Sequence, residues 1–93
     1  MGWEQYYPGD DEWEEFVNIF AKKYKDENAY QLAQLLDNKL DVAIVIYGQI
    51  GGLQGSIDWI SRKVPVLENL RPIDCLENDV LIKRLKTALM RMP

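Results

Sequence analysis

Apolar residues recur at helical spacing along most of this chain. Trp13, Phe16, Val17, Phe20 and Tyr24 follow i, i+3, i+4, i+7 spacing and predict an amphipathic helix after the Pro8-Gly9 turn. Asp10 is placed to cap it, and Lys22, Lys23 and Lys25 put cations at its C-terminal end, where the helix dipole favours them. Leu32, Leu35 and Leu36 give a second helix one apolar face, with Asp26 as its cap and Asp37-Asn38 as its break.

The run from Leu40 to Tyr47 has no such period. Its Val, Ile and Tyr residues would by propensity make a buried strand. A lone strand has no partner elsewhere in the sequence, so a buried helix ending at Gly48 as its C′ residue is the more economical reading. Leu53, Ile57 and Ile60 with Trp59 predict a further helix closing near Arg62. Pro72 suits the first turn of a short helix over 72–77. Asn78 caps the last helix, whose stripe is Leu81, Ile82, Leu85, Ala88, Leu89 and Met92. The expected fold is all-α, a single-domain bundle of about five to six helices. An N-terminal arm (1–9) leads into a helical pair (10–38), which packs as one unit with the helical region 39–93.

Composition narrows the chemistry. At 93 residues the chain suits one modest core, and 28% charged residues beside 47% hydrophobic ones mark a sequence that folds. Its apolar runs are too short to span a bilayer, and the start Met1-Gly2-Trp3-Glu4 has no signal-peptide pattern, so a cytoplasmic protein without membrane attachment is expected. There is no histidine, which removes the commonest general base and the commonest transition-metal ligand. Cys75 is the single cysteine, and its apolar neighbours suggest a buried inert thiol. The acids from Asp10 to Glu15 crowd the start of the first helix, where they favour its dipole more simply than they make a catalytic pair. The glycines in GQIGGLQG fit neither a P-loop nor a dinucleotide fingerprint. No catalytic residue, cofactor or metal is therefore expected.

Charge is uneven. The first 20 residues hold six acids and no base, whereas residues 61–93 hold seven bases and four acids. A pI near 4.7 argues against avid DNA binding, and a protein partner fits better.

The connection between the last two long helices is unusual, because WISRKVPVLENLRPIDCL (59–76) is apolar and proline-bearing where loops are usually polar. The order Trp59-Ile60, Pro65, Leu67, Pro72, Ile73-Asp74 and Leu76 resembles the toxin-binding domain of the Xre/MbcA/ParS antitoxin family. Tyr47-Gly48 is similar to the aromatic-glycine before the family's tryptophan helix, and Leu81, Leu85 and Leu89 to its last helix. The resemblance spans roughly residues 40–90. It departs at Lys63, where the family usually has a proline, at Glu68-Asn69, where it has a glycine pair, and after the short helix, where its glycine is missing. Asparagine tolerates the left-handed conformation, so the turn can persist.

The resemblance implies a non-enzymatic antitoxin that binds a RES-domain toxin, an NAD-consuming enzyme, and places its C-terminal helix or tail over the active-site entrance. Many members also carry an N-terminal DNA-binding helix-turn-helix. Here the first 40 residues are short, acidic and without a recognition helix, which speaks against DNA binding by this chain alone. Trp59, Pro65, Leu67, Pro72 and Leu76 are then structural, with Pro65, Val66, Leu67 and Leu70 tucked under the bundle. Arg71, Lys83, Arg84, Lys86, Arg91 and the terminal Met92-Pro93 make the expected contact surface. A stand-alone protein-protein adaptor or transcription-associated module, self-associating as a homo-oligomer, is the alternative. Whether Trp3, Tyr6 and Tyr7 pack on the domain or extend a contact surface stays open from the sequence.

Overall fold

A computed structural model describes residues 3–92. Five α-helices follow one another: α1 (Asp10–Tyr24), α2 (Glu27–Gln34), α3 (Leu40–Ile50), α4 (Leu53–Ile60) and α5 (Asp79–Arg91). Three 3-10 turns, Trp3–Tyr6, Pro65–Leu67 and Pro72–Leu76, complete the described residues, among which there is no strand. The all-α bundle expected from the pattern is the fold. Its Cα radius of gyration, 12.0 Å, is what one compact domain of this length should have.

The ambiguous run is a helix, and it is the centre of the molecule. Val42, Ala43, Ile44, Val45 and Ile46 of α3 are all buried, and α1, α2, α4 and α5 all pack against this helix. β-Branched residues cost a helix about 0.5 kcal/mol each relative to alanine. Burying each such side chain returns about 1.5–3 kcal/mol, so enclosure outweighs propensity. The helix does not end at Gly48. It runs on to Ile50, and Gly51, with φ 91°, is the left-handed cap, its N–H donating to the Tyr47 carbonyl. Gly48 serves packing instead: a Cβ there would overlap the Phe20 ring and stand 2.9 Å from that of Tyr24.

Other local expectations are met or corrected in similar terms. Asp26 caps α2 by accepting from the Ala29 N–H at 3.2 Å, and Asn78 caps α5 by accepting from the Leu81 N–H at 2.9 Å. Asp37 and Asn38 both take positive φ and break the chain between α2 and α3. Asp10 is not a cap, because Gly9 precedes the helix and the Asp10 carboxylate instead accepts the Tyr7 hydroxyl at 2.7 Å. Leu32 and Leu36 are buried, but Leu35 points away and is 45% exposed. The helix expected to close near Arg62 stops at Ile60, and the short helix at Pro72 is a 3-10 turn ending at Leu76. Of the N-terminal segment, Trp3–Tyr6 lies against α5.

No single helix among the described residues is long and apolar enough to cross a membrane.

Candidate docking surface

The connection from α4 to α5 is a closed turn with its own hydrogen bonds. The Val64 N–H donates to the Leu70 carbonyl at 3.0 Å, and the Val64 carbonyl accepts from Leu67 at 2.9 Å and from Asn69 at 3.1 Å. Such a turn needs two successive left-handed residues, and Glu68 (φ 58°) and Asn69 (φ 64°) supply them. Leu67 is fully buried, Pro72 and Cys75 are buried, and Val64, Val66 and Leu70 pack on the core around them. Pro65 itself is exposed, so Leu67 rather than Pro65 anchors the turn. Trp59 is half-buried against the core beside fully buried Ile60, and Leu76 is half-buried. Four of the motif residues, Pro65, Leu67, Pro72 and Leu76, thus lie along the connection, and Trp59 stands in the last turn of α4 that leads into it.

Burial also sets the chemistry of this joint. It pushes the Cys75 thiol up to about 11, against a partial counter-effect of the Arg84 charge. The thiol is a packing group, as its neighbours suggested.

The six expected contact residues are not all on the surface. Arg84 is buried at 9% exposure, its Nε donating to Glu4 at 2.7 Å and its Nη1 to Glu68 at 3.2 Å. It therefore ties the N-terminal turn and the left-handed turn to α5, and is not part of an exposed basic face. The hydrogen bond to Glu4 raises its already high affinity for the proton, so it stays charged. Lys86 is largely enclosed as well: its ammonium sits 5.2 Å from the Trp13 ring centre, 6.0 Å from that of Tyr7 and 4.0 Å from Asp41. Arg71 is exposed but paired with Asp74 through bonds of 2.7 and 3.0 Å, and the hydrogen bond from Arg71 lowers the Asp74 carboxyl below its ordinary range. Lys83 and Arg91 are exposed, and Met92 is half-buried against the core. Pro93 lies outside the described residues.

What the sequence did not disclose is the role of the N-terminal aromatics. The Arg91 guanidinium lies 4.9 Å from the Tyr6 ring centre and 5.5 Å from that of Trp3. Contacts separated by 85 or more positions leave no local pattern to read. A second unannounced tie is Gln49, whose Nε2 donates to the Leu89 carbonyl at 2.6 Å and joins the ends of α3 and α5.

A cleft of about 410 Å³ lies between Tyr7, Asp10, Lys39, Asp41, Lys83 and Lys86. Two of its carboxylates already have donors: Asp10 takes the Tyr7 hydroxyl, and Asp41 takes the Trp13 indole N–H at 2.8 Å. The Tyr7 hydroxyl is held well above its ordinary range by burial and by its bond to Asp10. These groups fasten α1 to α3 and α5. Among the described residues, no group of three or more carboxylate or cysteine side chains is placed to hold a metal.

No protein-family model, curated protein or solved structure matches this chain.

Proposed function

We propose that this chain is a cytoplasmic antitoxin that binds a RES-domain, NAD-consuming toxin and covers its active-site entrance with the C-terminal end of α5. The observation that carries this reading is the turn at Glu68-Asn69. Two consecutive non-glycine residues hold left-handed backbone at the glycine-pair positions of the resembled family, between a buried leucine and a buried proline at the family's spacing. Left-handed backbone costs an ordinary residue about 1–2 kcal/mol, so a turn that keeps it twice is retained for the geometry it sets. That geometry sets the position of α5, on which Lys83, in the first half, and Arg91, at the C-terminal end, remain exposed.

In this mechanism the chain performs no chemistry of its own. It excludes NAD by occupying space, with apolar contact supplying affinity and Lys83 and Arg91 supplying orientation. A pre-formed turn loses little entropy on docking, which favours tight association.

The test is co-expression with the RES-domain enzyme encoded beside it. Growth arrested by the enzyme should recover with the intact chain and recover poorly with a Lys83→Glu/Arg91→Glu variant that folds normally. Truncation before Arg84 is no substitute, because Leu85, Ala88 and Leu89 belong to the core. Absence of such a neighbouring enzyme, or unchanged arrest in the presence of the folded chain, contradicts the reading.

A further inference from the structure

We infer that the docking surface is composite: the N-terminal turn Trp3–Tyr6 joins the end of α5 in a single patch, centred on Arg91, that receives a carboxylate-bearing surface of the partner enzyme. This rests on the proposed inhibition of a RES-domain enzyme and extends its interface to the opposite end of the chain.

Three observations carry it. First, Arg91 is pre-positioned by two rings, at 4.9 Å from Tyr6 and 5.5 Å from Trp3. Cation–π contact with two rings uses none of the guanidinium's N–H donors, and among the described residues Arg91 has no ion pair. A planar fork held in place is suited to a carboxylate.

Second, the stack is more than the fold requires. The turn is already fastened by Glu4 to Arg84 at 2.7 Å and by Trp3 packing on the core. Tyr6 nonetheless leaves 52% of its surface exposed beside Arg91. Tyrosine, tryptophan and arginine are the side chains that dominate interface energies, and tyrosine loses few rotamers when it docks.

Third, the charge pattern selects the partner. The chain carries −4 overall, and Asp11, Glu12, Glu14 and Glu15 of α1 are exposed and would repel an acidic surface. Glu4, the acid in the turn, is ion-paired with Arg84, which it shares with Glu68. A carboxylate-bearing partner surface therefore approaches more favourably at the end that bears Arg91 than at the acidic face of α1.

Calorimetric titration of the full chain into the RES-domain enzyme tests this, with helicity and melting point measured on each variant. Tyr6→Ala and Arg91→Ala should each weaken the dissociation constant ten-fold or more while leaving the helical fold in place. Arg91→Lys, which keeps the charge but loses the stacked fork, should weaken it nearly as much. The affinity of Arg91→Ala should also fall less steeply with added salt. If the native chain binds and these variants bind equally well, the composite patch is wrong and the inhibitory reading survives. If the native chain does not bind at all, that reading fails and takes the patch with it. Self-association of the native chain, lost in both variants while enzyme binding is unchanged, would also overturn the inference by making the patch an interface between copies.

Discussion

Gly48 shows how one position can hold two helices together. With no side chain it lets the rings of Phe20 and Tyr24 lie directly on α3, and Tyr24 in turn meets Tyr47 edge-on at 5.6 Å. Gly48→Ala should cost about 1–3 kcal/mol through overpacking, a fall of roughly 5–20 °C in melting temperature for a domain this size. A variant as stable as the native chain would mean that the rings move aside freely. Arg84 and Glu4 invite a double-mutant cycle with Arg84→Met and Glu4→Gln. Their bond is largely shielded, so unfolding measurements should return a coupling of about 1–3 kcal/mol, whereas strictly additive effects would mean that the bond to Glu4 adds nothing to stability. Cys75 has a pH signature. Its folded thiol titrates near 11 against 9.0 unfolded, so the native state retains a proton that the unfolded chain releases between those values. This contribution is fully present below pH 9 and disappears as pH rises through 11. In the native protein at pH 8 a thiol reagent should react far more slowly than in denaturant, and equal rates would contradict the burial.

Helices were legible where a side chain repeats its signal. The α1 and α5 stripes and the caps Asp26 and Asn78 could be read because each depends on neighbours three or four positions away. The end of α3 was misread because Gly48 and Gly51 look alike in sequence, and only the rings of α1 decide which one caps and which one packs. The exposed face of α5 was misread for a related reason. Arg84 lies in a run of basic residues, and nothing local reveals a carboxylate 80 positions away. The turn between α4 and α5 tests the same idea of local demand. At Asn69, φ 64° suits glycine, is tolerated by asparagine and strains a β-branched residue. Asn69→Gly should leave stability unchanged or slightly higher, and Asn69→Val should lower it by about 1–2 kcal/mol. Chemical denaturation gives the ranking, and equal stability of the two variants would remove the argument for a specified turn.

For the whole molecule, the pattern disclosed an all-helical domain but not how its two ends meet. The N-terminal turn lies on α5, Glu4 reaches Arg84, and Trp3 and Tyr6 reach Arg91, so the surface assigned to the last helix is shared with the first residues. The left-handed joint sets where that surface stands relative to α4, and the proposed inhibition depends on its being fixed. The most direct measurement is NAD consumption by the proposed partner, a RES-domain enzyme, during titration with the purified chain. Activity should fall to background near one equivalent of the native chain, and Asn69→Val, still helical, should require a marked excess. NAD consumption that continues unchanged beside a folded excess of the native chain would contradict the account.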